Sequence, residues 1–107
     1  MNGFKQTDVY RRWEAGLKDP IVKAQVSARL FRLANGLKGD IKSVGDGVSE
    51  LRIHYGPGYR IYFQQRKHSL ILLLCGGIKR SQPQDILLAK YLAKIWINEE
   101  DEKGESN

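Results

Sequence analysis

The stretch ELRIHYGPGYRIYF, residues 50–63, decides the fold of this chain. Apolar and polar side chains alternate on both sides of GPG at 56–58, and a period of two is typical of half-buried strands. The glycines and the proline between the two runs predict a tight hairpin loop. We expect Tyr55 to lie opposite Tyr59, so the stretch predicts an antiparallel hairpin with one apolar face.

The other face of the predicted hairpin is basic. In this register His54 faces Arg60, and Arg52 faces Tyr62. Guanidinium groups bind phosphate bidentately and stay charged. An imidazole can move a proton near neutral pH, and adjacent Arg60 would favour its neutral form as a base. This set suits RNA cleavage by the neighbouring 2′-hydroxyl, a reaction whose nucleophile belongs to the RNA.

Helical spacing dominates the residues before the hairpin. A short first strand over Phe4–Gln6 is followed by two helices that we expect to form a hairpin within residues 4–38. Thr7 and Asp19 are suitable N-caps for them, and a proline follows Asp19 directly. The glycine-punctuated residues 41–49 are expected to lead into the quoted hairpin.

The residues after the hairpin predict one strand and one helix. The run Leu70–Cys75 is apolar at successive positions, which indicates a central strand covered on both faces. If it pairs beside Tyr59–Phe63, its end brings Lys79 near the basic face. Ser81 with Gln84 fits a capping box that opens an amphipathic last helix. The order β-α-α-β-β-β-α predicts an α+β domain with a small, mostly antiparallel sheet.

Composition and charge limit the possible classes of protein. The length of 107 residues, 41% apolar and 28% charged, fits one globular domain, which we assign to residues 1–98. That body carries 17 Lys/Arg against 7 Asp/Glu, a net charge of +10, whereas the tail at 99–107 has a net charge of −4 and is expected to fray. A body this basic favours a nucleic-acid partner. No stretch could span a bilayer or act as a signal peptide, and the single cysteine, Cys75, fits a reducing compartment, so we expect a cytoplasmic protein.

Several familiar sites are not present in the sequence. There is no P-loop and no G-x-S-x-G elbow. There are no paired cysteines, and His54 and His68 do not have the spacing of metal ligands. We therefore expect neither a metal ion nor a cofactor.

Three segments of the sequence resemble the RelE superfamily of toxins. They are G-D-I-K at 39–42, VGDGVSELRIHYGPGYRIYF at 44–63 and LLLCGGIKRSQ at 72–82. The sequence is most similar to the HigB-like "addiction module killer protein" branch, and the likeness extends to about Trp96. It implies a toxin of a type II toxin–antitoxin pair that cleaves mRNA in the ribosomal A site. It also implies a protein antitoxin, often with a helix-turn-helix, which forms with the toxin a complex that represses its own operator DNA.

The resemblance assigns roles to individual residues. Arg60 matches the arginine of the family's G-Y-R strand, a phosphate-binding and catalytic position. Lys79 or Arg80 matches the basic residue after the last strand. By the same analogy, Lys42 and Arg52 lie on the RNA-facing side.

The sequence departs from the family in one respect. RelE itself has a catalytic tyrosine near the start of the last helix, but residues 82–85 read QPQD. Tyr91 lies too far along the helix to replace it, so His54 or Asp85 would have to act as the base. The alternative function is a non-catalytic module that binds nucleic acid or the antitoxin in operon autoregulation.

Overall fold

The computed structural model describes residues 2–96, so the acidic tail lies outside the described residues. Residues 2–96 form five strands, three α-helices and one 3₁₀ turn. In chain order these are β1 (Gly3–Gln6), α1 (Asp8–Ala15), α2 (Pro20–Ala34), β2 (Ile41–Gly45), β3 (Val48–Ile53), β4 (Tyr59–Arg66), β5 (Leu70–Ile78), the 3₁₀ turn (Lys79–Ser81) and α3 (Gln82–Ile95). The α+β class predicted from the sequence is confirmed.

The predicted order β-α-α-β-β-β-α is not matched in full, because β2 is an additional strand. The sequence between Ile41 and Gly45 pairs antiparallel with β3, although it was expected only to lead into the hairpin. The glycines that suggested a lead-in form a tight turn instead. Gly45, Asp46 and Gly47 all have positive φ, which reverses the chain within three residues.

The five strands form one mixed sheet in the order β1-β5-β4-β3-β2. β1 runs parallel to β5, and the other neighbours are antiparallel. All residues from Ile71 to Cys75 in β5 are buried, which confirms the prediction of a strand covered on both faces.

A helical layer covers each face of the sheet. Side chains from α1 and α2 pack on one face around Leu51, Ile61 and Leu73. On the other face Ala89 of α3 packs with a second set, which consists of Val48, Tyr62, Leu72, Leu74 and Cys75. A bulge allows this arrangement, since Tyr62 pairs with Cys75 whereas Phe63 pairs with Leu73. Leu74 is the extra residue, and it shifts the alternation of β5 by one position.

The two predicted N-caps are confirmed. The Thr7 hydroxyl accepts a hydrogen bond from Tyr10 N at 3.0 Å, and the Asp19 carboxylate accepts one from Ile21 N at 2.9 Å. Within residues 2–96, no helix combines the length and the apolar character needed to cross a membrane.

Candidate functional site

The loop between β3 and β4 is longer than the sequence suggested. Ile53 lies opposite Tyr59, so the loop spans residues 54–58 and the expected pairing of Tyr55 with Tyr59 is wrong. The chain turns locally, because Tyr55 N donates to Ile53 O and Gly58 N donates to Tyr55 O, each at 3.0 Å. Tyr55 lies outside the pairing of β3 with β4, and its hydroxyl donates a hydrogen bond to the Asp19 carboxylate at 3.0 Å.

This register changes the partners on the basic face. Arg52 lies opposite Arg60, and Glu50 lies opposite Tyr62, so the predicted pairs His54–Arg60 and Arg52–Tyr62 are both wrong. Like charges directly opposite one another in a sheet repel. The two arginines therefore need an acid between them.

Glu50 is that acid, and its side chain is 0% exposed. Arg60 Nη1 donates to its Oε1 at 3.2 Å, and Arg52 Nε lies 3.5 Å from the same oxygen. The Tyr62 hydroxyl and Gln82 Nε2 donate to its Oε2 at 3.0 and 2.8 Å. The carboxylate thus joins β3, β4 and the first turn of α3 through charge-assisted hydrogen bonds.

Arg60 is more buried than a simple phosphate ligand would be. The residue is 5% exposed, and one of its terminal nitrogens is taken by Glu50. Within the described part of the chain, neither Arg60 Nε nor Arg52 Nε has a hydrogen-bond partner, although both atoms are buried. Buried donors without partners are rare, and they mark places where a ligand atom or water can bind. The arginine pair is therefore charged and only partly satisfied.

Two buried groups on this face cannot exchange protons near neutral pH. Burial, and then the hydrogen bond to Glu50, raise the pKa of Tyr62 far above its ordinary value. Burial, with the charge of Asp85, raises the pKa of Cys75 to about 12. Tyr62 is therefore a fixed donor, and the Cys75 thiol is not a nucleophile.

His54 lies at the exposed end of the face, and its partner is Asp40. Its ring Nε2 contacts Asp40 Oδ2, and Asp40 Oδ1 lies 3.7 Å from Arg52 Nε. The hydrogen bond from His54, with smaller contributions from the charges nearby, holds the pKa of Asp40 below its ordinary value. At neutral pH Asp40 is therefore an anion that separates the imidazole from the guanidinium.

Lys79 reaches the same end of the sheet, as predicted from the pairing of β5 with β4. Its backbone N–H donates to Gly58 O at 2.8 Å, which fixes the start of the 3₁₀ turn against the 54–58 loop. The side chains of Lys79 and Arg80 are exposed. Lys42 is also exposed, and it lies opposite Glu50 on β2.

The first turn of α3 completes the site, but without the predicted capping box. Ser81 does not cap the helix through its side chain, because its hydroxyl donates to Asp85 Oδ2 at 2.5 Å. The Asp85 carboxylate lies against the backbone of Gly77, where a Cβ atom would come within 1.9 Å of Oδ2. Gly77 pairs with Arg60, so Asp85 lies against the strand position next to that arginine.

The sequence analysis missed the acids and the amide that organise the cations. Glu50, Asp40 and Gln82 are not among the residues that the sequence assigned to the site. The signal for Glu50 was present in the sequence, because it lies two residues before Arg52 in a strand and so shares its face. No local pattern could have paired Asp40 with His54, since 14 residues separate them.

The site can hold an anionic group and move a proton. Within residues 2–96, no group of three or more His, Cys, Asp or Glu side chains is placed to hold a metal ion. Five cationic residues lie on the strands and the 3₁₀ turn towards this end of the sheet, and they are Lys42, Arg52, Arg60, Lys79 and Arg80. Such a set can stabilise charge on a phosphate, and the imidazole of His54 is a group that can accept or donate a proton.

Comparisons with known proteins show that the chain is similar to a bacterial protein. No family model matches the sequence. A protein of Haemophilus influenzae, described as uncharacterized, is 48% identical over 91 residues, which cover 85% of this chain and 92% of the relative. At this identity and coverage, the chain belongs to the same family as that Haemophilus influenzae protein.

Proposed function

We propose that this protein is the toxin of a type II toxin–antitoxin pair, a ribosome-dependent endoribonuclease of the RelE superfamily that cleaves mRNA and so inhibits translation. One observation carries the proposal. Five cationic residues of β2, β3, β4 and the 3₁₀ turn lie towards one end of the sheet, where His54 is exposed. The α+β architecture, with two N-terminal helices on one face and the last helix on the other, is compatible with the RelE-like fold expected from the sequence.

The chemistry follows from the charges at this end of the sheet. His54 takes the proton of the RNA 2′-hydroxyl, and the freed oxygen attacks the neighbouring phosphorus. Arg60 and Arg52 stabilise the additional negative charge of the phosphorane, as fixed cations do best in a site with little water. Lys79, with Arg80 beside it, gives a proton to the departing 5′-oxygen, and Lys42 holds the RNA chain.

The partners follow from the same proposal. The body of the protein, with its net charge of +10, is suited to contacts with ribosomal RNA phosphates. The protein antitoxin would cover the toxin and would join it in binding operator DNA. In this proposal the toxin acts in the cytoplasm.

The first experiment maps the 5′ ends of an mRNA in a purified translation system, with and without ribosomes. We compare the wild type with Lys79→Ala and with Lys67→Ala, which removes an exposed lysine from the turn at the other end of β4. Cuts in frame with codons, seen only with ribosomes, are expected from the wild type and Lys67→Ala. They should fall by about a hundredfold in Lys79→Ala, since general acids contribute about 10²–10⁴ to a rate. A folded wild type that makes no cuts under either condition would rule out the enzyme.

The second candidate function is a non-catalytic module that binds nucleic acid or the antitoxin. The burial of Arg60 and its bond to Glu50 favour it, because a guanidinium with one bound nitrogen has fewer donors for a scissile phosphate. This candidate predicts that RNA is bound with a steep salt dependence and is not cut.

A further inference from the structure

Asp40 is held in place more firmly than an exposed acid usually is. Its backbone carbonyl accepts a hydrogen bond from Arg52 N at 3.0 Å and another from Arg29 Nη2 at 3.4 Å. Arg29, from α2, also donates to Arg52 O at 2.7 Å. The backbone of Asp40 is therefore fixed beside the end of β3, directly through Arg52 N and indirectly through Arg29.

The two oxygens of this carboxylate have different partners. Oδ2 contacts His54 Nε2, and Oδ1 faces Arg52 Nε at 3.7 Å. The Asp40 side chain is 42% exposed and that of His54 is 69% exposed, and ion pairs this exposed add little to stability. The contact therefore needs another explanation, and its geometry supplies one.

A carboxylate can only accept hydrogen bonds, so the imidazole nitrogen that touches it must carry a hydrogen. In the neutral ring the other nitrogen, Nδ1, then has a free lone pair. We propose that Asp40 is a positioning residue that fixes the Nε2–H tautomer of His54, so that Nδ1 is the atom that takes the proton of the RNA 2′-hydroxyl. This inference rests on the proposed function.

Atoms and charges balance in this step. The 2′-oxygen gives its proton to Nδ1 and forms a bond to phosphorus, while the bond from phosphorus to the 5′-oxygen breaks. The 5′-oxygen takes a proton from the Lys79 ammonium. The products are a 2′,3′-cyclic phosphate and a 5′-hydroxyl, and neither an oxidant nor a metal ion is consumed.

The neighbouring arginine makes this proposal sharply testable through Asp40→Asn. The positive charge of Arg52, whose Nε lies 3.7 Å from Oδ1, favours the amide oxygen at that place and leaves the NH₂ group at the place of Oδ2. That group donates to Nε2, which drives the ring hydrogen to Nδ1 and blocks the base. The same substitution in a Ser-His-Asp triad keeps the geometry but favours the wrong histidine tautomer, and the rate falls steeply. The isosteric asparagine should therefore impair cleavage more than alanine does.

The experiment joins ring-nitrogen NMR to cleavage kinetics. Nitrogen-15 spectra of the neutral imidazole are recorded for the wild type, Asp40→Asn and Asp40→Ala, with His68 in the β4–β5 turn as the internal reference. The hydrogen should lie on Nε2 of His54 in the wild type and on Nδ1 in Asp40→Asn. In single-turnover cleavage on ribosomes, Asp40→Asn should lose about a hundredfold in the maximal cleavage rate, with little change in the half-saturating concentration, and Asp40→Ala should lose less.

The outcomes separate this inference from the proposed function. Asp46→Asn, which alters an exposed acid in the β2–β3 turn, should leave the cleavage and the His54 spectrum unchanged. The role of Asp40 is overturned if the Asp40→Asn variant keeps the hydrogen on Nε2 of His54, or if it cuts RNA as fast as Asp46→Asn does. Either result leaves the proposed endoribonuclease activity intact. If the ring hydrogen of His54 lies where expected in each variant but the wild type cuts no RNA, the contact between Asp40 and His54 is supported and the proposed function is rejected.

Discussion

Replacing Glu50 by glutamine should lower the free energy of unfolding by about 3–5 kcal/mol. The glutamine keeps the shape of the side chain but removes the charge that compensates Arg60, which is 5% exposed. Breaking a buried pair in this way leaves one charge without a partner in a medium where it is poorly solvated. A domain of this size has about 5–15 kcal/mol of stability in total, so the substitution removes a large share of it.

The assay is urea unfolding followed by circular dichroism, in a double-mutant cycle of Glu50→Gln with Arg60→Met. Each single substitution breaks the contact between Glu50 and Arg60, whereas the double substitution removes both of its charges. We expect the double variant to recover about 1–3 kcal/mol relative to the sum of the single changes. Asp46→Asn serves as the control, because its ion pair with Lys90, at 3.6 Å, lies on the surface and should contribute little.

A loss of less than about 1 kcal/mol in Glu50→Gln would refute the reasoning, because a buried and uncompensated guanidinium cannot cost so little. Strict additivity in the cycle would do the same for the pairing with Arg60. The same contact affects how activity data for Arg60 variants are interpreted. Arg60→Ala would disturb the fold as well as the site, so a loss of toxicity in that variant alone does not assign a catalytic role.

Two further predictions follow from contacts elsewhere. Gly76→Ala should destabilise the fold by about 1–3 kcal/mol, since its Cβ would meet the Trp13 ring at 2.3 Å, whereas Gly3→Ala, with open space around it, should be nearly neutral in the same thermal melts. An undisturbed melting temperature in Gly76→Ala would contradict the packing of α1 on β5. The lowered pKa of Asp40 should add a small increment to the stability of the fold above the ordinary aspartate range, and this increment should be lost as pH falls through the lowered value. Urea unfolding between about pH 2 and 6 tests it, and Asp40→Asn should remove that part of the pH dependence; an identical profile in the two proteins would count against the His54 contact.

The predicted parts of the fold are those with local signals. The caps at Thr7 and Asp19 and the buried run of β5 depend on residues close together in sequence, and all are confirmed. The sequence did not predict β2, because the glycines at its end and in the following turn are also typical of a connecting loop. Ile41 and Val44 are nevertheless both half-buried. A short edge strand with two exposed residues between them gives a weak periodic signal.

The candidate site was predicted in its residue types but not in its pairing. The sequence indicated that Arg52, Arg60 and His54 share a face, because alternation along a strand is local. It could not indicate that Arg52 faces Arg60, because a hairpin register depends on loop length, and the hydrogen bonds of the 54–58 loop moved it by two residues. The compensating acid, Glu50, gained its importance only from that shift.

The parallel pairing of β1 with β5 has a consequence for the way in which this chain must be assembled. Thr7 bonds to Leu74, a partner 67 residues further along, and Gly3 pairs with Leu70. Closing a loop of this length costs about 4 kcal/mol beyond a constant, by the logarithmic law for flexible chains. During synthesis β1 leaves the ribosome early but cannot pair until β5 has been made. Folding of the sheet therefore depends on a late contact between residues far apart in sequence. A nascent chain that stops before β5 would therefore leave its first strand unpaired as well.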